Sequence, residues 1–186
     1  MIRRGRFLAQ LSSALALTSA ALAPPVDAAT LAGDRARAEF APGIIAPGHP
    51  MPAMTAPMPN GRELSLASLR GHAVWINCFA TWCEPCNAEM PLIVETYRRS
   101  FAAGLRVVGI SMSEHASALP PFLKRYGITF PVVLDHAQAT NVWGISDIPT
   151  SIFLDARGVI RTIRQGEIDR SDAAALVAAI LAHRRA

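Results

Sequence analysis

The stretch Ala73-Val74-Trp75-Ile76-Asn77-Cys78-Phe79-Ala80-Thr81-Trp82-Cys83-Glu84-Pro85-Cys86 decides how this chain is read. Its first seven residues form a mostly apolar run of the length expected of a buried strand. Thr81-Trp82 then leads into two cysteines spaced C-x-x-C. From Glu84 to about Ala103 a helix is predicted, with Met90, Ile93, Val94, Tyr97 and Phe101 on one face and Gly104 as its stop. The cysteines therefore stand where a strand ends and a helix begins. Residues three apart at a helix start lie about 5–6 Å from each other, within the range that a disulfide tolerates. At the cap, Cys83 meets unpaired backbone N–H groups and the positive end of the helix, which stabilise a thiolate. Cys83 is expected to attack and Cys86, one turn inward, to resolve the mixed disulfide. Pro85 falls in the first turn, where its missing N–H costs little. A structural disulfide and a zinc half-site are the competing readings. Zinc needs a second pair of ligands, and the sequence has no second Cys-x-x-Cys and no His-x-x-x-His. Cys78, inside the apolar run, reads as a small buried core residue.

Working outward, Arg62 to Leu66 alternates as a short strand after the Asn60-Gly61 turn signal. Leu66 to Gly71 looks like a single helical turn closed by glycine. Leu105 to Ile110 is a second buried strand. Pro120 to Tyr126 is a helix with prolines at tolerated first-turn positions and Gly127 at its end. Phe130 to Leu134 is extended. Ser151–Asp155 and Val159–Arg164 form a hairpin about Ala156-Arg157-Gly158, and Ser171 to about Arg185 is a helix with a serine N-cap. Elements that first alternate and then finish as hairpin and helix give an α/β fold, a mixed central sheet covered by helices on both faces.

The 186 residues suit one domain with extras, and 51% hydrophobic against 17% charged residues excludes disorder over most of the length. The formal charge of +4 is scattered, without a dense basic run, so no nucleic-acid partner is expected. Residues 1–28 read as an export signal: Arg3, Arg4 and Arg6 at the start, an apolar stretch, and Val26-Asp27-Ala28 as the cleavage pattern. An uncleaved anchor, giving membrane association through the amino terminus, is the alternative. Arg3-Arg4 before Phe7-Leu8 leaves the export route open between the general and twin-arginine pathways. Residues 29–60, rich in Pro and Ala, read as a lead-in or linker, and residues 61–186 as the domain.

The residues Phe79 to Cys86 followed by Glu89-Met90-Pro91 resemble the TlpA/ResA-like thioredoxins of bacteria. The likeness extends over Leu66–Gly71, Phe130–Asp135 and Ile148–Asp155 with Gly158. It implies a thioredoxin fold with an N-terminal β-hairpin-like extension, a cis peptide before Pro149 opposite the cysteines, and substrate binding by Trp82, Ile148 and Pro149. In this picture the backbone at Ile148 pairs with the substrate as an added strand. The sequence departs from cytosolic thioredoxins at Asn77, where those carry a buried Asp that handles protons. It departs again at Cys78, a place usually filled by a large aromatic.

Redox direction follows from what the motif does to the thiolate. A group that destabilises the thiolate destabilises the reduced form and favours a reductase. Glu84 adds a negative charge between the cysteines and is expected to tune the pair that way, although it also serves as an ordinary first-turn acid. The resemblance implies the same direction. It points to a periplasmic reductase of protein disulfides, apocytochrome c being a typical substrate, supplied by a membrane thiol donor and using no cofactor and no metal. The alternatives are a copper-handling assembly protein, drawing on His49, Met51, Met54, Met58 and His136, and a thiol peroxidase. The residues Phe79-Ala80-Thr81-Trp82 ahead of Cys83 lack the Pro-x-x-x-Thr-x-x-Cys pattern of peroxiredoxins.

Overall fold

The computed structural model describes residues 45–183 apart from Ser113. The export segment 1–28 and the first part of the lead-in lie outside the described residues. Strands β1 (Thr55–Pro57) and β2 (Glu63–Ser65) pair as an antiparallel hairpin, the expected N-terminal extension. A single 3-10 turn, Leu66–Leu69, leads to β3 (Ala73–Phe79) and helix α1 (Glu84–Ser100). Then come β4 (Leu105–Ser111), α2 (Leu119–Tyr126), β5 (Val132–Leu134) and α3 (Gln138–Trp143). The chain closes with β6 (Thr150–Leu154), β7 (Ile160–Gln165) and α4 (Arg170–Ala182). Among the described residues, no helix is long and apolar enough to cross a membrane.

The five-stranded sheet has the order β5-β4-β3-β6-β7. β3, β4 and β5 run parallel, while β6 is antiparallel to β3 and β7 to β6. β3 is central and wholly buried, and its alternating side chains divide between two cores. Trp75 and Phe79 join Met90, Ile93 and Val94 of α1, Phe122 of α2 and Val177 and Ile180 of α4 on one face. Val74, Ile76 and Cys78 face the other way, against Trp143, Ile145, Met54 and Ala56. Cys78 thus faces the core opposite the one that holds Cys83 and Cys86. The small thiol suits a position crowded by the hairpin and lead-in.

Gly109 of β4 lies between Asn77 and Val132 in the sheet register. A Cβ there would come within 3.0 Å of both the Phe79 ring and a Val132 methyl. Gly109→Ala is expected to cost about 1–3 kcal/mol by overpacking, measured by denaturant unfolding. It would move Phe79, the last residue of β3 before the active-site loop.

Three sequence expectations change. The packed domain begins ahead of residue 61: Ile45 and Met54 are buried in the core. The Gly48 N–H donates to Ile160 O at 2.8 Å, and the Ile160 N–H to His49 O at 2.9 Å. The prolines bar a regular central strand but allow this extended stretch to lie along the start of β7. The final helix is capped by Asp169, whose carboxylate accepts from the Asp172 N–H at 2.8 Å, while Ser171 falls inside the first turn. The helix α3 has no counterpart in the sequence expectation. It is six residues long and opens through His136 and Ala137, both at positive φ.

Candidate active site

The loop Ala80–Trp82 carries the chain from the end of β3 into α1, and Cys83 is the N-cap residue of that helix. Cys83 and Cys86 are joined in a disulfide with Cα atoms 5.3 Å apart. The Cys86 N–H donates to Cys83 Sγ at 3.3 Å, so the helix end directs a backbone donor at the outer sulfur, as the capping argument requires. Pro85 stands in the first turn. Glu84 is exposed beside the pair, where solvent weakens its field. Trp82 is 69% exposed, the most open large apolar side chain among the described residues.

The peptide bond Ile148–Pro149 is cis. It brings Ile148 O to 3.9 Å from Cys83 Sγ. Pro149 is buried and Ile148 half-buried, and the loop before β6 lies beside the cysteine pair. Cys78 stands apart from this chemistry. Burial pushes its thiol far above the ordinary value, with the Asp135 charge adding to the rise.

A buried acid does accompany the cysteines, although Asn77 replaces the strand aspartate. Glu89, one turn beyond Cys86 on α1, is only 2% exposed. Asn77 Nδ2 donates to its Oε1 at 2.7 Å, and the Ile168 N–H donates to its Oε2 at 3.1 Å. Burial raises the Glu89 carboxyl to about 7, against the lowering by the Ile168 N–H and the Asn77 amide, with the Glu167 charge adding to the rise. The buried acid here is on the helix, and Asn77 of the strand is its donor. The sequence reading quoted Glu89 only as part of a motif. The pairing of Asn77 with an acid about one and a half turns into the predicted helix was the signal that could have found it.

Glu114 is the second residue the sequence reading passed over. Its Oε1 accepts from the Thr81 N–H at 2.9 Å and from the Thr81 hydroxyl, and its Oε2 accepts from the Ser111 hydroxyl at 2.6 Å. Asn87 Nδ2 donates to Thr81 O at 3.1 Å from the other side. Thr81 is therefore held at every polar group it has, which fixes the loop that presents Trp82 and Cys83. Glu114→Ala and Thr81→Val are each expected to lower stability by about 1–3 kcal/mol, the first because it leaves the Thr81 and Ser111 donors unpaired and the second because it removes one donor from the Glu114 carboxylate. The double variant should lose less than the sum, measured by denaturant unfolding. Glu114 also lines a cavity of about 420 Å³ with Ser111, His115, Asp135 and His136, at the ends of β4 and β5.

The proposed copper ligands do not assemble with the cysteines. Met54 is buried in the core, Met51 and Met58 pack partly against it, and His136 opens into the Glu114 cavity. Among the described residues no three His, Cys, Asp or Glu side chains gather as a metal site.

Known proteins resemble this chain in sequence and in fold. Residues 47–163 match the AhpC/TSA family. The thiol-disulfide oxidoreductase ResA of Bacillus subtilis (strain 168) is 33% identical over 113 residues, covering 60% of this chain and 63% of that protein. ResA of Geobacillus thermodenitrificans is 34% identical over 113 residues, covering 60% of this chain and 65% of that protein. The matched region thus spans less than two thirds of the length of these relatives. A thiol:disulfide interchange protein of the thioredoxin family from Chlorobium tepidum TLS superposes with a TM-score of 0.65 at 32% identity, covering 74% of this chain and 99% of that one. A DsbE-like thiol:disulfide interchange protein from Chlorobium tepidum does so with a TM-score of 0.67 at 26% identity, covering 75% and 99%. The chain belongs to the AhpC/TSA family, as a ResA-like member with the thioredoxin fold.

Proposed function

We propose that this protein is an exported thiol:disulfide oxidoreductase that reduces protein disulfides, with those of apocytochrome c the first candidates. The observation that carries the reading is the Cys83–Cys86 disulfide at the N-terminus of α1, directly after exposed Trp82 and beside the cis Ile148–Pro149 peptide, with Glu89 buried one turn below.

In the reduced protein the Cys83 thiolate attacks a substrate disulfide, forms a mixed disulfide and expels one substrate thiolate. Cys86 then gives up its proton and attacks Cys83 Sγ. The second substrate thiolate leaves, and the Cys83–Cys86 bond closes. Two electrons pass from the dithiol to the substrate; the Cys86 proton and one taken up from solvent, matching the proton Cys83 released on ionising, end on the two substrate thiols. Glu89, at about 7, suits the acceptance of the Cys86 proton and its return near neutral pH. An extended substrate would lie against the Ile148 backbone with Trp82 at its other side. A thiol donor at the membrane would restore the dithiol, and the periplasm is the compartment proposed from the amino-terminal segment.

The test is capture. Full-length Cys86→Ser expressed in the host should hold partners as reducible adducts on Cys83, apocytochrome c among them. Adducts confined to Cys78, or none at all, would refute the assignment.

A further inference from the structure

The topology collects positive charge at the end of the domain remote from Cys83. β3 and β4 run parallel, so Arg70, just ahead of β3, and Arg106, at the second position of β4, stand at the edge where those strands begin. Cys83 follows the edge where β3 ends. Helices α1 and α2 run back toward the starting edge and carry Arg98, Lys124 and Arg125 there in their last turns. The turn between the antiparallel β6 and β7 adds Arg157.

Contacts join these elements into one surface. Arg70 Nη1 donates to Arg157 O at 3.2 Å, and Arg98 Nη2 to Gly127 O at 3.0 Å, just beyond Lys124 and Arg125. Arg106 Nη1 donates to Phe101 O at 3.2 Å, and its guanidinium lies 4.2 Å from the centroid of the Phe101 ring. These arginines spend their donors on carbonyl oxygens, which leaves their charge uncancelled. The acids near them are already engaged. Asp155 has a fully buried side chain bound to Arg161 at 2.5 Å and lies 3.7 Å from Arg157 Nε, which offsets part of the Arg157 charge, and Glu95 is shared by Arg99 at 2.6 Å and Arg170 at 2.8 Å. Exposed acids stand at the opposite end, with Glu84 beside Cys86, Asp147 before the cis proline, and Glu167 next to the residue that binds Glu89.

Phe101 adds a second, independent observation. It is 46% exposed at the end of α1, beside Arg106 of this surface. Charges contributed by five separate segments offer a diffuse positive field, and an open aromatic ring among them matches the chemistry of an anionic bilayer surface. From this we infer that the basic end docks on anionic phospholipid and holds the Cys83–Cys86 end away from the membrane, toward soluble disulfides. The inference stands apart from the assigned thiol chemistry and from any anchoring by the amino terminus.

The test is flotation of the full chain with vesicles of phosphatidylcholine alone and with phosphatidylglycerol added, at about 0.05 M and about 0.5 M salt. The unaltered protein should bind the anionic vesicles about 10-fold or more tighter than the neutral ones, and only at low salt. Lys124→Gln/Arg125→Gln/Arg157→Gln should lose about 10- to 100-fold of that affinity, with exchange on a soluble disulfide unchanged. Should that variant fail to fold, judged by its exchange rate, Phe101→Ser decides, and it is expected to weaken anionic binding. The apolar amino-terminal stretch is present in every arm, so its contribution appears as binding indifferent to lipid charge. Equal affinity for both vesicle types, or full affinity in the folded variants, would overturn the inference. The first of these results would leave an acidic protein as the partner of this surface.

Discussion

Cys83→Ser should abolish disulfide exchange, lowering turnover by about 10³-fold or more, while Cys86→Ser should still attack and then stall as a mixed disulfide. The difference follows from position. Cys83 Sγ receives the Cys86 N–H at the helix end and sits next to Ile148 O, where a substrate strand would lie. Cys86 is fully buried one turn inward and reaches only Cys83. Cys78→Ser serves as the control. Its sulfur is buried in the core on the other face of β3, so exchange should persist even if stability falls. The measurement is reduction of a protein disulfide by each prereduced variant, with the protein-bound adduct located by mass spectrometry. Equal rates for Cys83→Ser and the parent protein would remove the motif from the chemistry.

The second large effect belongs to Glu89. A carboxyl that stands at about 7 in the folded protein, against an ordinary 4.5, holds its proton more tightly folded than unfolded. Its contribution to stability is therefore fully present below about pH 4.5 and is lost as pH rises through about 7. The gap corresponds to about 3 kcal/mol. Glu89→Gln keeps an acceptor for the Asn77 amide or the Ile168 N–H but cannot titrate. Denaturant unfolding of the oxidised proteins across this range should show the parent losing stability relative to the variant as pH rises. Parallel curves would place the charge elsewhere. For exchange, Glu89→Gln should be slower by about 10²-fold near neutrality and should lack an inflection near pH 7. A uniform loss with an unchanged profile would mean that Glu89 supports packing alone.

Much of this was legible because local signals agreed. The apolar run at Ala73–Phe79 is the observed β3 to the residue, and Gly127 ends α2 in a left-handed conformation, as its place after Tyr126 suggested. The C-x-x-C pair lies at the helix cap where the strand before it and the helix after it put it. The cis peptide at Pro149 came from resemblance, since nothing in Ile-Pro-Thr itself separates cis from trans. What escaped was long-range or irregular. Glu89 acquires its burial from Asn77, 12 residues away, and from Ile168, 79 away. Glu114 meets Thr81 across 33 residues, through a loop with no periodic pattern. The Pro-rich lead-in carried no strand signal, yet edge bonds to Ile160 and the burial of Met54 draw it into the fold. Helix α3 was hidden because two non-glycine residues at positive φ precede it, a conformation that sequence rarely announces.

The central claim is the direction of the reaction, and the reduction potential of the Cys83–Cys86 couple tests it most directly. The full chain would be equilibrated in defined mixtures of reduced and oxidised dithiothreitol or glutathione, and its thiol content read after alkylation. A dithiol built to reduce should lie near the thioredoxin value of about −270 mV. A potential near about −120 mV, that of a strong disulfide-forming oxidant, would contradict the account.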